Sequence, residues 1–162
     1  MTTYSLTRAK ARLERARAQA EQNGVYDEKQ LIELFSGFVN VSSEVGDERP
    51  LSYCTFSPDG GVLATASWGG TCKLWSMKDG RLWQVLKGHT DHATSILFHP
   101  AFGNQPTSVA NIATSSADCT AILWTADSFT PLQTLKGHEG RLNRSAFHPS
   151  GRFLGTTSQD LT

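Results

Sequence analysis

A histidine, a serine, an aspartate and a tryptophan are the residue types in this sequence that could do chemistry together. His89, Ser116, Asp118 and Trp124 form one such set, and His138, Ser158 and Asp160 begin a second. Serine beside histidine and aspartate can make an activated nucleophile. Histidine beside carboxylate can also hold a metal. The repetition argues against both, because a pattern that recurs once per structural unit is a packing rule. His89, Asp91 and His92 bring no third or fourth ligand at zinc spacing. The sequence has no Gly-x-x-x-x-Gly-Lys-Ser/Thr and no Gly-x-Ser-x-Gly. "PDGG", residues 58–61, reads as a hairpin turn rather than a phosphate cradle. The chain is therefore expected to be no enzyme, with no catalytic, cofactor-binding or metal-binding residues.

The bulk properties agree. The 162 residues suffice for about one domain. Fifteen basic and fifteen acidic residues cancel, so net charge gives no reason to expect bulk nucleic-acid binding. The balance is uneven, since Arg8, Lys10, Arg12, Arg15 and Arg17 face only Glu14 and Glu21 over residues 1–22. No apolar run reaches the roughly 18–20 residues a membrane span needs. Cys54, Cys72 and Cys119 are odd in number and lack metal-ligand spacing, which fits a reducing compartment, cytosol or nucleus.

The elements that must position these residues can be read from texture. Residues 5–21, rich in Ala, Arg and Leu, predict a basic helix ended by Asn23-Gly24. Leu31, Leu34, Phe35 and Phe38 fall at i, i+3, i+4 and i+7, which predicts a second short helix from about Asp27, its N-cap. Beyond Gly37 the chain turns to short β-rich runs punctuated by Gly, Asp, Ser and Pro. Trp75 and Trp124 lie 49 residues apart, as do His89 and His138. Phe56-Ser57-Pro58, Phe98-His99-Pro100 and Phe147-His148-Pro149 repeat one phrase, and the last two each start ten residues after a Gly-His pair. The same count back from Phe56 lands on Gly46-Asp47. Each unit reads as four strands: 51–56, 62–66, 72–75 and 82–86, then 96–98, 111–115, 120–124 and 132–135. The third supplies 142–147 and 152–157. His99 and His148, before prolines, are expected in exposed loops.

A period of about 40–45 residues with Gly-His opening and Leu-Trp closing resembles the WD-repeat family, in which each unit is one blade of a β-propeller. Ser76 and Thr125 stand where the family's Asp follows the Trp. "GDERPLSYCTFSPDGGVLATASWGGTCKLWS", "FHPSGRFLGTTSQD" and the basic "YSLTRAKARLERA" resemble one branch in particular, the pre-mRNA-processing factor 4 family of the U4/U6 small nuclear ribonucleoprotein. The resemblance implies an all-β fold, a partial propeller of about two and a third blades preceded by two short α-helices. Residues 1–37 would be the helical segment and 38–162 the propeller, with blades at about 51–87, 93–136 and 141–162, the last incomplete. The chain is then expected to be a piece of a longer protein, with residues 38–43 left without the strand they would zip against. Strand 152–157 would present an unpaired edge, a template for association.

The resemblance also implies a role for the repeated set. In WD repeats the matching residues form a buried structural relay: loop His to turn Asp, strand Ser to His, Trp indole to Ser. His89, Ser116, Asp118 and Trp124 would be one relay, and His138, Ser158 and Asp160 part of another. The first unit keeps Ser67 and Trp75 but neither the His nor the Asp. The function implied is a non-catalytic scaffold in pre-mRNA splicing, in the nucleus, within the U4/U6 particle and the tri-snRNP. Pre-mRNA-processing factor 3, a cyclophilin of the particle and U4/U6 snRNA are the implied partners. A generic WD-repeat adaptor, for ubiquitin ligation or signalling, is the alternative. Trp68, beside Gly69-Gly70, reads either as packing on the next blade or as a partner contact. Trp83 reads as packing, against either the helices or the next blade. Arg8, Arg12 and Arg15 share one helix face, which is either solvated or set against RNA phosphates.

Overall fold

The computed structural model describes residues 28–40, 43–103, 110–125 and 129–162. Its contacts divide into two units, residues 1–43 and 44–162. The basic helix and the Asp27 cap lie outside the described residues. In the first unit one helix, α1, spans Glu28–Ser36. Of its apolar stripe Leu31 is half-buried while Leu34 and Phe35 are 53% and 56% exposed, and Phe35 meets the edge of Phe38 at 5.3 Å. Residues 38–40 carry no strand, and Phe38 and Val39 are exposed.

The second unit is built from antiparallel sheets. In the first sheet β1 (Leu51–Phe56), β2 (Val62–Ser67), β3 (Thr71–Ser76) and β4 (Leu82–Lys87) lie in chain order. The second repeats that order with β5 (Ala93–Phe98), β6 (Ile112–Ser116), β7 (Ala121–Trp124) and β8 (Pro131–Leu135). The third pairs β9 (Leu142–Phe147) with β10 (Leu154–Ser158). Every strand read from the sequence is present, within three residues at each end. The turns follow their chemistry: Asp59 accepts from the Gly61 N–H and Gly60 takes φ +71° to close β1 on β2. Each inner pair carries a register shift at the same place, near Leu51/Tyr53, Ala93/Ser95 and Thr157/Ser158. Such bulges raise the local twist.

Sheets stack through small and branched side chains. β5 packs on β1 and β2 on one side and on β9 on the other. Ala64, Ala66, Leu74, Ala93, Ile96 and Ile112 are wholly buried there. The seams are also hydrogen bonded. Ser52 Oγ lies 2.6 Å from Ala93 O, joining the first sheet to the second. Ser95 Oγ lies 3.1 Å from Ser145 Oγ, joining the second to the third.

His99 departs from the expectation of an exposed loop. It is 6% exposed and latches the second sheet to the third. Its Nδ1 accepts from the Ala101 N–H at 3.1 Å. The proton therefore sits on Nε2, which donates to Gly151 O at 3.1 Å. Its ring also meets Phe147 edge-on. His148, the counterpart, is exposed as expected and bonds Ser150. Among the described residues the third sheet packs on His99, through Gly151 and Phe147, and no sheet packs in the same way on His148.

Gly151 combines φ +72° with a site where a Cβ would overlap the His99 imidazole. Gly151→Ala is expected to cost at least the ~1–2 kcal/mol of a left-handed L-residue, with further loss as the ring is displaced. Denaturant unfolding of the two proteins measures this, and an unchanged midpoint would refute the latch.

Candidate functional site

The repeated set forms a continuous chain of hydrogen bonds in the second sheet, with one member different from expectation, and parts of that chain in the other two. Trp124 Nε1 donates to Thr114 Oγ1 at 2.8 Å, not to Ser116. Thr114 Oγ1 lies 2.8 Å from His89 Nε2, and His89 Nδ1 lies 3.0 Å from Asp118 Oδ2. With Asp118 ionised the direction is set: indole to hydroxyl, hydroxyl to Nε2, Nδ1–H to carboxylate. Thr114 and Ser116 both project from β6 to the same face, two residues apart. Register decides between them, since Thr114 stands opposite Ile122, two residues from Trp124. Ser116 instead serves the turn. It donates to Asp91 O and accepts from the Asp118 N–H, both at 3.1 Å.

The third sheet repeats the correction. His138 Nε2 meets Thr156 Oγ1 at 2.9 Å and its Nδ1 meets Asp160 Oδ2 at 2.8 Å. Ser158 donates to Gly140 O and accepts from the Asp160 N–H. A further threonine, absent from the sequence reading, caps each carboxylate. Thr120 donates to Asp118 Oδ1 at 2.6 Å and Thr162 to Asp160 Oδ1 at 2.7 Å. Thr65–Trp75 and Thr114–Trp124 recur at a spacing of ten, but Ser67–Trp75 and Ser116–Trp124 recur equally at eight, so spacing does not pick the hydroxyl.

The first sheet keeps the indole bond, Trp75 Nε1 to Thr65 Oγ1 at 3.0 Å. Its charge has moved. Asp47, in the loop position of His89, accepts from Thr71 Oγ1 at 3.0 Å and lies 3.5 Å from Lys73 Nζ. A hydrogen bond from Ser67 and those from Glu48 N–H and Thr71 outweigh burial and hold its carboxyl at about 2. Gly69 occupies the place of Asp118, where a Cβ would lie 3.1 Å from Asp47 Oδ2. A second carboxylate there would meet the first.

Burial and charge tune the complete relay. Burial pulls His89 below its ordinary 6.5, against the opposing hydrogen bond and charge of Asp118. Burial pushes Asp118 up, but the Thr120 hydroxyl, the Thr90 N–H and His89 together hold it below its ordinary value. The Thr162 hydroxyl, ahead of His138 and two backbone N–H groups, holds Asp160 well below the carboxylate range. In the second sheet each of these relay atoms has an internal hydrogen-bond partner.

The remaining candidate is aromatic. Trp68 lies in the β2–β3 turn, 51% exposed, and stacks on His92 of the loop before β5 at 5.2 Å and 27°. It thus packs on the next sheet and still offers an open face. Trp83 meets Phe129 edge-on at 5.0 Å, next-sheet packing as read. Arg8, Arg12 and Arg15 lie outside the described residues.

Comparison with known proteins adds lineage to this geometry. The family described as "WD domain, G-beta repeat" matches residues 41–76, 80–125 and 129–162. The U4/U6 small nuclear ribonucleoprotein Prp4 of Bos taurus is 54% identical over 99% of this chain, and that of Mus musculus equally so. A U4/U6 small nuclear ribonucleoprotein PRP4-like protein of Arabidopsis thaliana is 42% identical over 60% of the chain. The chain spans 32% of the length of the mammalian relatives and 18% of the plant one.

Two outcomes follow from the relay. Thr114→Val keeps the shape but strands the indole N–H and His89 Nε2, and is expected to cost about 1–3 kcal/mol per unpaired group. Ser116→Ala leaves that chain intact and should cost less by the same denaturant titration. Because the folded pKa of His89 lies below 6.5, its stabilisation is present above pH 6.5 and is lost as pH falls through the folded value. The melting temperature should decline over that window in the native protein and decline less in His89→Gln.

Proposed function

We propose, from the premise that the chain belongs to the WD-repeat family (WD domain, G-beta repeat), that it is a non-catalytic scaffold of the U4/U6 small nuclear ribonucleoprotein acting in pre-mRNA splicing in the nucleus. The observation that carries this reading is the 54% identity, over 99% of the chain, to mammalian proteins of that particle. It extends through the basic segment before the propeller as well as the blades. The relay supports a scaffold, because its histidine and carboxylates are consumed by each other.

Protein partners would meet the face formed by the β2–β3 turn and the loop before β5, where Trp68 and His92 stack. An exposed indole already held by one ring gives contact area at small entropic cost. Pre-mRNA-processing factor 3 and a cyclophilin of the particle are the proposed protein partners. The Arg8, Arg12 and Arg15 face is proposed to meet U4/U6 snRNA phosphates, an interaction that would weaken with salt.

The test recovers tagged chain from nuclear extract and probes for U4 RNA and for pre-mRNA-processing factor 3. Enrichment of both is expected. Trp68→Ala should lower protein recovery by the ~2 kcal/mol or more of an interface hot spot, with the melting temperature unchanged. Replacing Arg8, Arg12 and Arg15 by Ala should lower RNA recovery alone. Recovery of ubiquitin-ligase or signalling proteins without U4 RNA would refute the splicing role and favour a generic adaptor.

A further inference from the structure

Trp68 is held between two loops of the first two sheets. Its N–H donates to Pro50 O at 3.0 Å, in the loop before β1, and its ring stacks on His92, in the loop before β5. The imidazole covers one face of the indole, and the residue stays half-exposed. In the second sheet Ala117 makes the same backbone bond, to His92 O at 2.8 Å, and has no ring to offer.

Each loop also sets a carboxylate beside this turn. Asp91 is half-exposed. Its Oδ1 accepts the His92 N–H at 2.7 Å and lies 3.6 Å from His92 Nδ1, and its Oδ2 has no protein partner among the described residues. Glu48 is exposed, and its side chain makes no ion pair or hydrogen bond among the described residues. Asp47 is already committed to Thr71 and Lys73. One cation stands against these charges. Arg49 is exposed, and its Cγ would lie 3.7 Å from a Cβ on Gly69, in the same turn. An open indole face attracts a cation through its quadrupole. An apolar partner would strip water from the two carboxylates and leave them unpaired. A phosphate backbone would be repelled by them.

We propose that this turn is a docking site for an arginine in a basic segment of a partner protein. The guanidinium stacks on the free face of Trp68, and Asp91 and Glu48 pair with the charge of the segment. Arginine is favoured over lysine because its planar, weakly hydrated head can lie on a ring and still donate from its edge. The proposal rests on the reading of this face as a protein contact and names the chemistry of that contact. Arg49 opposes the ligand and lowers its affinity.

The test titrates the full, nitrogen-15-labelled chain with the peptide Gly-Arg-Gly-Arg-Gly-Arg-Gly, with its lysine and glutamine counterparts, and with hexauridine. The indole N–H signals are followed by NMR, that of Trp68 being the one lost in Trp68→Ala. The arginine peptide is expected to shift the Trp68 signal saturably. Trp75 and Trp124, bonded to Thr65 and Thr114, should stay unmoved. The lysine peptide should bind at least about twofold more weakly. Asp91→Asn keeps an oxygen for the His92 N–H and should weaken the arginine peptide about twofold, while Arg49→Ala should strengthen it by a similar factor. No shift at Trp68, or an equal shift with the glutamine peptide, would overturn the proposal. A shift with hexauridine but not with the arginine peptide would also overturn it and assign the ring to single-stranded RNA. The two readings fail separately: arginine binding at Trp68 in a chain that recovers no U4/U6 protein from extract upholds this site and refutes the proposed partners.

Discussion

The Thr114 hydroxyl takes the Trp124 indole N–H on one side and meets His89 on the other, and the second sheet is arranged around keeping that oxygen satisfied. A polar chain running through an apolar sheet is stable only when each link has its partner, because the low dielectric that strengthens the bonds also raises the cost of losing one. The requirement reaches outward from Thr114. Trp124 must be buried on β7, His89 must return from the loop after β4, and Asp118 must sit in the turn after β6. Each of these fixes a connection between strands far apart in sequence. The loop that delivers His89 ends one sheet and begins the next, so the same bonds that close a blade also tie it to its predecessor.

The three sheets hold this device in three chemical states. The second is complete. The first has exchanged the histidine for Asp47 and the turn aspartate for Gly69, so that one carboxylate takes hydroxyls and the Lys73 ammonium directly. The two exchanges belong together: a carboxylate at both places would leave like charges side by side, and neither would have the imidazole that reconciles them. The third keeps His138, Thr156 and Asp160 in the same geometry.

Because the polar chain is turned inward, the faces are left to other work. Trp68 replaces the small Ala117 of the second turn and the Gln159 of the third. Its stack on His92 fixes the ring without covering it. The turn that carries it is tight in all three sheets, with Gly70, Cys119 and Leu161 at φ 77°, 65° and 70°. Glycine is required in the first, where a Cβ would come within 2.9 Å of Asp91 O. The β2–β3 turn thus lies close against the loop before β5, the same loop whose His92 stacks on Trp68.

The sequence by itself determined the strands, their order and the repeat. Alternation, turn residues and a recurrence of Gly-His, Phe-x-Pro and Leu-Trp at like spacing are local signals, and local geometry obeys them. Recurrence in step with the units also singled out His89, Asp118, His138 and Asp160, which the fold joins as two hydrogen-bonded pairs. It could not choose Thr114 over Ser116 or Thr156 over Ser158. Both hydroxyls recur, both face the same side of the strand, and only the pairing register with β7 brings the indole to one of them. It could not bury His99, because that burial comes from Gly151 and Phe147 of the third sheet, contacts that only the tertiary structure makes. The new place of the first sheet's charge, at Asp47, was likewise a tertiary matter: Ser67, Thr71 and Lys73 lie 20 or more residues away along the chain and converge on it only when β2 and β3 fold back beside the loop.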